Sequence, residues 1–145
     1  MILIAHRGNT SGPNKEQENK PEYIDKALEK YDCEIDVWKV GDYYFLGHDK
    51  PEHKVDYNWF RERQEKLWIH CKDISSFTDL HTEFNCFYHN IDHYTLTSHN
   101  YIWAYPGFLV YEKAKAIAVM PEKTLHAWNL KLFAGICSDL VEDYD

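Results

Sequence analysis

Short apolar runs alternate with amphipathic segments along the whole chain. Residues 2–5 are continuously apolar, whereas residues 20–31 repeat apolar side chains at helical spacing behind Pro21, a residue tolerated in a first helical turn. The segment over residues 41–49 begins with Gly41-Asp42, a turn dipeptide. We therefore expect it to form a hairpin or a bent strand pair with the segment before it. The pattern predicts further strands over residues 33–40, 67–72, 85–92, 94–106, 116–121 and 134–140, and helices over residues 56–66, 73–84 and 123–133.

Repeated strand–helix units predict a parallel sheet covered by helices. A (β/α)₈ barrel commonly takes about 250 residues and seldom fewer than about 200. The chain has 145 residues and no linker rich in Pro, Gly or Ser. We therefore expect one domain over residues 1–145, with an α/β fold of the reduced TIM-type (β/α) barrel kind in which some helices are shortened or missing.

Polar groups follow the predicted strands, in the region where parallel α/β folds place their chemistry. They are His6-Arg7-Gly8, Glu18-Asn19, Glu34-Ile35-Asp36, Gly47-His48-Asp49 and His70-Cys71-Lys72. Residues two apart in a strand face the same side, so Glu34 and Asp36 share one face, as do His70 and Lys72. Two carboxylates in an interior repel each other unless a positive group joins them, and a hard divalent cation fits that need. A simpler interpretation is an edge strand with both acids turned to water.

The bulk composition narrows the class of partner. The formal net charge is −8, and no run of Lys and Arg interleaved with aromatic residues could form a basic stripe, so nucleic acid is not expected. No apolar stretch reaches the roughly 18 residues of a membrane span, and we expect no leader before the first strand. The four cysteines show no paired spacing, which favours reduced thiols and a cytoplasmic location. The oligomeric state stays open.

The order of these motifs resembles a known family. The segments "LIAHRG", "ENKPEYIDKALEKYDCEIDVW" and "FLGHD", followed by a strand ending in Lys72, are similar to the glycerophosphodiester phosphodiesterase family, within the superfamily that includes phosphatidylinositol-specific phospholipase C. The similarity is strong over residues 2–49 and thin afterwards, although "AGICSD" resembles the family's last barrel strand.

The resemblance implies metal-assisted cleavage of a small phosphodiester substrate. It implies that His6 and His48 are the general base and acid, and that Arg7 and Lys72 bind the phosphate group of the substrate. Glu34 and Asp36 become ligands of Mg²⁺ or Ca²⁺, and Glu18 supports the site from behind. These residue types suit such roles, because guanidinium and ammonium groups bind phosphoryl oxygens and imidazole transfers protons near neutral pH.

One position departs from the family pattern. His70 stands where the family usually has a further metal-binding acid, and imidazole suits transition metals better than Mg²⁺ or Ca²⁺. We place His70 among the supporting residues and assign the third metal ligand to Asp92, with Asp73 and Asp139 as alternatives. The departure also leaves two other functions open, a phosphate-ligand binding module that has lost catalysis and a lyase that releases a cyclic phosphate.

Two further segments allow other interpretations. Cys86, His89 and His93 have a spacing compatible with structural zinc, but no second cysteine pair accompanies them. The aromatic residues in "YIWAYPGF" suit a wall that binds a ring or sugar, although packing in a short barrel explains them more simply.

Overall fold

The computed structural model describes residues 1–124 and 128–145. Ten strands and three α-helices follow the chain in an order close to the predicted alternation. The elements are β1 (Ile2–His6), α1 (Pro21–Leu28), β2 (Asp32–Val40), β3 (Tyr43–Leu46), β4 (His53–Val55), α2 (Tyr57–Arg61), β5 (Leu67–Cys71), α3 (Ile74–Leu80), β6 (Cys86–Phe87), β7 (Tyr94–Leu96), β8 (Ile102–Ala104), β9 (Ala116–Val119) and β10 (Gly135–Ser138). Short 3₁₀ helices occupy Lys113–Lys115, Pro121–Lys123, Leu130–Leu132 and Val141–Tyr144.

All ten strands belong to one sheet, and seven of them run parallel. The parallel order is β6, β5, β2, β1, β10, β9 and β8. The antiparallel strands β3 and β4 extend from β2, and β7 pairs antiparallel with β8. The result is a curled mixed α/β sheet with few helices, consistent with a reduced barrel. Strand pairing between β6 and either β7 or β8 is not found within residues 1–124 and 128–145, so barrel closure by a continuous ladder is not shown.

Alternation along the strands separates an inner layer from an outer one. The inward positions carry Ile4, Trp68, Phe87, Trp103, Ile117 and Cys137, which pack together in the concave side of the sheet. The outward positions of β2 and β5 pack against the three α-helices, with Ile24, Phe60 and Leu80 filling that interface. All four cysteines are free and buried, as their spacing indicates.

Several predicted elements are shorter than expected. The helix predicted over residues 56–66 ends at Arg61, after which Arg63 pairs with Asp25 of α1. The strand predicted over residues 94–106 is a hairpin of β7 and β8. The helix predicted over residues 123–133 partly falls on residues 125–127, which lie outside the described residues, and its remainder contains only 3₁₀ turns.

Candidate functional site

The inward positions at the carboxyl ends of the parallel strands are polar. For five of the six inner apolar residues named above, the residue two positions further along the chain is polar and lies on the same face, because alternate residues of a strand share a face. The step of two residues runs from Ile4 to His6, from Trp68 to His70, from Phe87 to His89, from Trp103 to Tyr105 and from Cys137 to Asp139. The exception is Ile117, which is followed two positions later by the apolar Val119. Glu34 and Asp36 occupy the matching positions of β2, so the sheet collects these side chains above its apolar inner layer.

The backbone after β1 turns sharply so that Arg7 faces this layer. Arg7 adopts a left-handed conformation with φ of 55°, and its N–H donates to the Glu34 carbonyl at 2.9 Å. Gly8 follows with φ of +90°, and a Cβ there would lie 2.6 Å from the Tyr23 ring. The His-Arg-Gly sequence is therefore a strained turn, and glycine is required at its third residue.

The Asp36 carboxylate is fully buried among positive and donor groups. Arg7 Nε lies 3.0 Å from its Oδ2, and Asn19 Nδ2 donates to the same oxygen at 2.9 Å. Its Oδ1 lies 3.0 Å from His70 Nδ1 and 3.6 Å from Lys72 Nζ. Burial favours the neutral acid, but His70, Arg7 and Lys72 outweigh it and lower the pKa of Asp36 well below its usual range. Asp36 is thus an ionised carboxylate that balances buried cations.

Glu34 has the opposite environment although it is also buried. Its Oε2 has no hydrogen-bond partner among the described residues, and the nearest basic atom is His6 Nε2 at 3.8 Å. Burial and the adjacent negative charge of Asp36 raise the pKa of Glu34 well above its usual range. A buried carboxyl oxygen without a partner destabilises a fold, and so it points to a ligand that is not part of the protein.

His6 is held by a network behind it. Its Nδ1 lies 2.7 Å from Asp139 Oδ1, and Asn9 Nδ2 donates to that same oxygen at 2.8 Å. Burial raises the pKa of Asp139 less than its contacts with His6 and Asn9 lower it, leaving the pKa at about 2. Burial lowers the pKa of His6, against the opposing influence of Asp139. Because an ionised carboxylate only accepts, Nδ1 carries the imidazole proton and Nε2 keeps a free lone pair.

The His70 ring lies parallel to two neighbouring rings. It stacks on Phe87 and on His89 at interplanar angles of 9° and 6°. The His89 Nε2 lies 2.5 Å from the Tyr105 hydroxyl. Burial lowers the pKa of His70, against a smaller raising influence of the His89 main chain. Burial, repulsion from His70 in its protonated form and the positive charge of Lys72 lower the pKa of His89 to about 4. Both rings are therefore neutral near pH 7.

His6, Arg7, Glu34, His70 and His89 line a cavity of about 650 Å³, a size typical of small-molecule sites. Its charged lining consists of Arg7, Lys72 and Lys123 together with one carboxylate, Glu34. The remaining lining includes the rings of Tyr88, Trp103 and Tyr105. Trp103 and Tyr105 belong to the segment suggested as an aromatic wall, but both also pack in or against the inner apolar layer, in line with the simpler interpretation. The cavity is locally basic on an acidic chain, which suits an anionic ligand.

Glu34, Asp36 and His70 form the one group of possible metal ligands among residues 1–124 and 128–145. One ligand atom from each lies within 4.8 Å of the others. The donor set of two carboxylates and one imidazole fits a divalent cation, and the unpartnered Glu34 oxygen gives a reason for one to bind. These three residues could hold a metal ion.

The structure brings most of the predicted site residues together. His6, Arg7, His48 and Lys72 all line the cavity, with His48 at its exposed rim, where its Nδ1 lies 2.8 Å from Asp49. Glu18 lies behind Arg7, whose NH1 donates to it at 3.2 Å.

The third metal ligand is the prediction that needs correcting. Asp92 is exposed, accepts from the Asn90 N–H, and does not line the cavity. Asp73 caps α3 by accepting from the Ser76 N–H, and Asp139 is engaged with His6. The residue that lies with Glu34 and Asp36 in the group that could hold an ion is instead His70, because the register of β2 and β5 pairs it with Asp36.

The alternative zinc group does not assemble. Cys86 is buried in β6, His89 faces the cavity, and His93 stacks on Phe108, so the three diverge. Sequence reasoning missed Asn9 and Lys123, which reach the site from a loop and from a 3₁₀ turn, where no strand pattern marks them.

Replacing Glu34 with glutamine separates a structural role from a ligand role. Without metal, we expect the free energy of unfolding of Glu34→Gln to stay within about 1 kcal/mol of the wild type, because the native carboxyl already lacks a partner. A divalent ion at about 100 times its dissociation constant should stabilise the wild type by about 2.7 kcal/mol and the variant far less. Thermal unfolding with EDTA and with added ion measures both quantities. A large loss of metal-free stability would instead make Glu34 a structural residue.

No helix of the described residues has the length and apolar character needed to cross a bilayer.

Comparison with known proteins adds no relative: no protein-family model, no curated protein and no solved structure matches the chain.

Proposed function

We propose that this chain is a divalent-metal-dependent phosphodiesterase that cleaves small, glycerophosphodiester-like substrates on a reduced TIM-type barrel. The observation that carries the proposal is the convergence of His6, Arg7, Glu34, His70 and Lys72 on one cavity, with His48 at its rim. Residues up to 66 positions apart in the sequence supply proton-transfer groups, anion-binding groups and metal ligands to a single space. Those are the components that phosphodiester cleavage requires.

The positive groups of the cavity account for phosphate binding. Lys72 and Lys123 are long, flexible point charges, whereas Arg7 presents a rigid fork of donors. Arg7 Nε forms an ion pair with Asp36 and its NH1 donates a hydrogen bond to Glu18, so its remaining donors serve the phosphoryl oxygens. The two carboxylates fix the direction of the fork, which gives the bound phosphate a defined orientation.

His6 is the general base of this proposal. Its Nε2 is unprotonated and lies on the cavity side, because Asp139 holds the proton on Nδ1. An attacking hydroxyl, from water or from the substrate itself, would transfer its proton to Nε2. Asp139 then stabilises the resulting imidazolium without taking the proton.

In the imidazolium form, with Asp49 accepting from Nδ1–H, His48 is placed to give the proton on Nε2 to the leaving alcohol and become neutral. It lies at the rim, where the alcohol departs into solvent, and Asp49 holds its Nδ1. A cation held by Glu34, Asp36 and His70 would stabilise the charge that builds on the non-bridging phosphoryl oxygens. The rest of the 650 Å³ cavity accommodates the alcohol groups beside the aromatic wall.

The direct test is hydrolysis of bis(4-nitrophenyl) phosphate and of glycerophosphodiesters. We expect turnover that EDTA abolishes and that added divalent metal restores, and we expect His48→Ala to lower kcat about 10²-fold or more. His99→Ala, at an exposed position outside the cavity lining, is the matched control and should retain full activity.

Other outcomes identify the alternative functions. Thermal stabilisation by phosphodiesters without turnover would make the chain a binding module. If phosphorus NMR shows that a cyclic phosphate accumulates as the product, the chain is a lyase. A hydrolysis rate that is unchanged both by EDTA and by the His48 substitution would contradict the proposal.

A further inference from the structure

We propose that Glu34, Asp36 and His70 form a transition-metal centre with His70 as a direct ligand, selective for ions such as Mn²⁺, Co²⁺ or Zn²⁺ over Mg²⁺ and Ca²⁺. The inference rests on the metal dependence proposed above and names the class of ion. It departs from the Mg²⁺ or Ca²⁺ that the family resemblance implies.

The first support is the unpartnered oxygen of Glu34. The residue is 2% exposed, lines the cavity, and offers Oε2 to no donor in the described part of the chain. Its other oxygen, Oε1, lies 3.8 Å from His70 Nδ1. A ligand of positive charge beside His70 would therefore satisfy a buried group that the protein alone leaves unsatisfied.

The contacts of Asp36 show which of its oxygens a metal would take. Arg7 and Asn19 occupy Oδ2, whereas Oδ1 faces His70 and Lys72. An ion bound by Oδ1, by Glu34 and by His70 Nδ1 would leave the Arg7 and Asn19 contacts intact. The site therefore presents two oxygens and one imidazole nitrogen from neighbouring strands.

The ring of His70 is held by its neighbours. Groups behind a metal-binding histidine fix its ring and so orient the nitrogen that binds the metal. The His70 ring lies parallel to the rings of Phe87 and His89, while Nδ1 faces the carboxylates. His89 is in turn held by the Tyr105 hydroxyl. We therefore assign His89 as a positioning residue.

The charge of the surroundings then decides the class of ion. Arg7 and Lys72 already offset part of the negative charge of Asp36. An ion such as Mg²⁺ or Ca²⁺ relies on several charged oxygens, of which this site has few to offer. A transition ion gains additional affinity from bonding to the imidazole nitrogen. Its binding is therefore weakened less by the fact that Arg7 and Lys72 already offset part of the Asp36 charge.

The experiment measures binding without requiring turnover. The full chain, stripped of metal, is titrated with Mn²⁺, Co²⁺, Zn²⁺, Mg²⁺ and Ca²⁺ by calorimetry. We expect each transition ion to bind at least about tenfold more tightly than Mg²⁺ or Ca²⁺. Visible absorption of bound Co²⁺ reports nitrogen ligation, and histidine NMR of the Zn²⁺ form identifies the ring that binds.

Variants at His70 and His89 test the two assigned roles. His70→Asp should remove most of the preference for transition ions, whereas His99→Asp, an exposed histidine given the same charge change, should leave it unchanged. His89→Ala should weaken transition-ion binding about tenfold, since residues behind a ligand typically contribute about 10–100-fold. His89→Phe keeps a ring in the stack and should restore most of that loss.

The outcomes separate this inference from the proposed function. Equal or tighter binding of Mg²⁺ or Ca²⁺ by the wild type, no binding of any ion, or binding that leaves the His70 resonances unchanged would overturn it, whether or not the His70 variants fold. Selective transition-ion binding without phosphodiester turnover would uphold the centre and contradict the phosphodiesterase. Turnover supported best by Mg²⁺ with a Mg²⁺-selective site would do the reverse.

Discussion

Replacing Asp36 with alanine is expected to lower the free energy of unfolding by about 3–5 kcal/mol, the usual cost of leaving buried partner charges uncompensated. The carboxylate is fully buried, and Arg7 and Lys72 face it from two sides. Its removal also leaves the Asn19 amide without its acceptor. Urea unfolding of the metal-free chain, followed by circular dichroism, measures the loss.

Two companion variants isolate the cause of that loss. Asp36→Asn keeps the volume but not the charge, and so we expect it to retain most of the destabilisation. Asp79→Ala removes a partly exposed carboxylate that pairs with Lys39, and it should cost no more than about 1 kcal/mol. A loss at Asp36 no larger than the loss at Asp79 would show that the buried charges of the site do not depend on this carboxylate.

The inner layer of the site follows from strand alternation, which is a local property of the sequence. The spacing of two between Glu34 and Asp36 and the polar end of β1 are enough to predict a shared interior. The same spacing leads from Phe87 to His89 and from Cys137 to Asp139. His89 and Asp139 lie just beyond strands that end at Phe87 and Ser138, where the alternating pattern has already stopped. In the sequence they therefore look like ordinary loop residues.

The third member of the group that could hold a metal ion depends on strand register, which a single sequence does not contain. Asp92 is a plausible acid at the end of a predicted strand, but the strand ends early and Asp92 is exposed. The β2–β5 ladder instead places His70 beside Asp36, 34 positions away in the chain. Asn9 and Asn19 enter the site through turns whose paths depend on the left-handed backbone at Arg7, and no periodic pattern records such a path.

The shortened helices have a comparable cause. Helices cover β2 and β5, whereas the outer side of β8, β9 and β10 packs against 3₁₀ turns and loops through residues such as Val110 and Phe133. The chain length predicts that some helices are missing, but not which ones. The half of the sheet that keeps its helices also carries Glu34, Asp36 and His70, so the three residues that could hold a metal ion lie on strands covered by helices.

Catalysis should depend on His6 and on Asp139 to different degrees. We expect His6→Ala to lower kcat about 10²–10⁴-fold, the usual contribution of a general base. Asp139→Ala should approach that loss, because nothing then holds the imidazole proton on Nδ1. Asp139→Asn should cost only about tenfold. Asn9 Nδ2 donates to the same Oδ1 that contacts His6, so the new amide must place its oxygen there and only the charge is lost.

Nitrogen NMR of the histidine rings separates this explanation from general disruption of the site. The Nδ1–H tautomer of His6 should persist in Asp139→Asn and should no longer be fixed in Asp139→Ala. Adding Asn9→Leu to Asp139→Asn removes the donor that orients the amide, so the double variant should fall to the activity of Asp139→Ala. Equal activity of the two single Asp139 variants, with the tautomer unchanged in both, would contradict the role given to this carboxylate, since His6 would then be oriented without it.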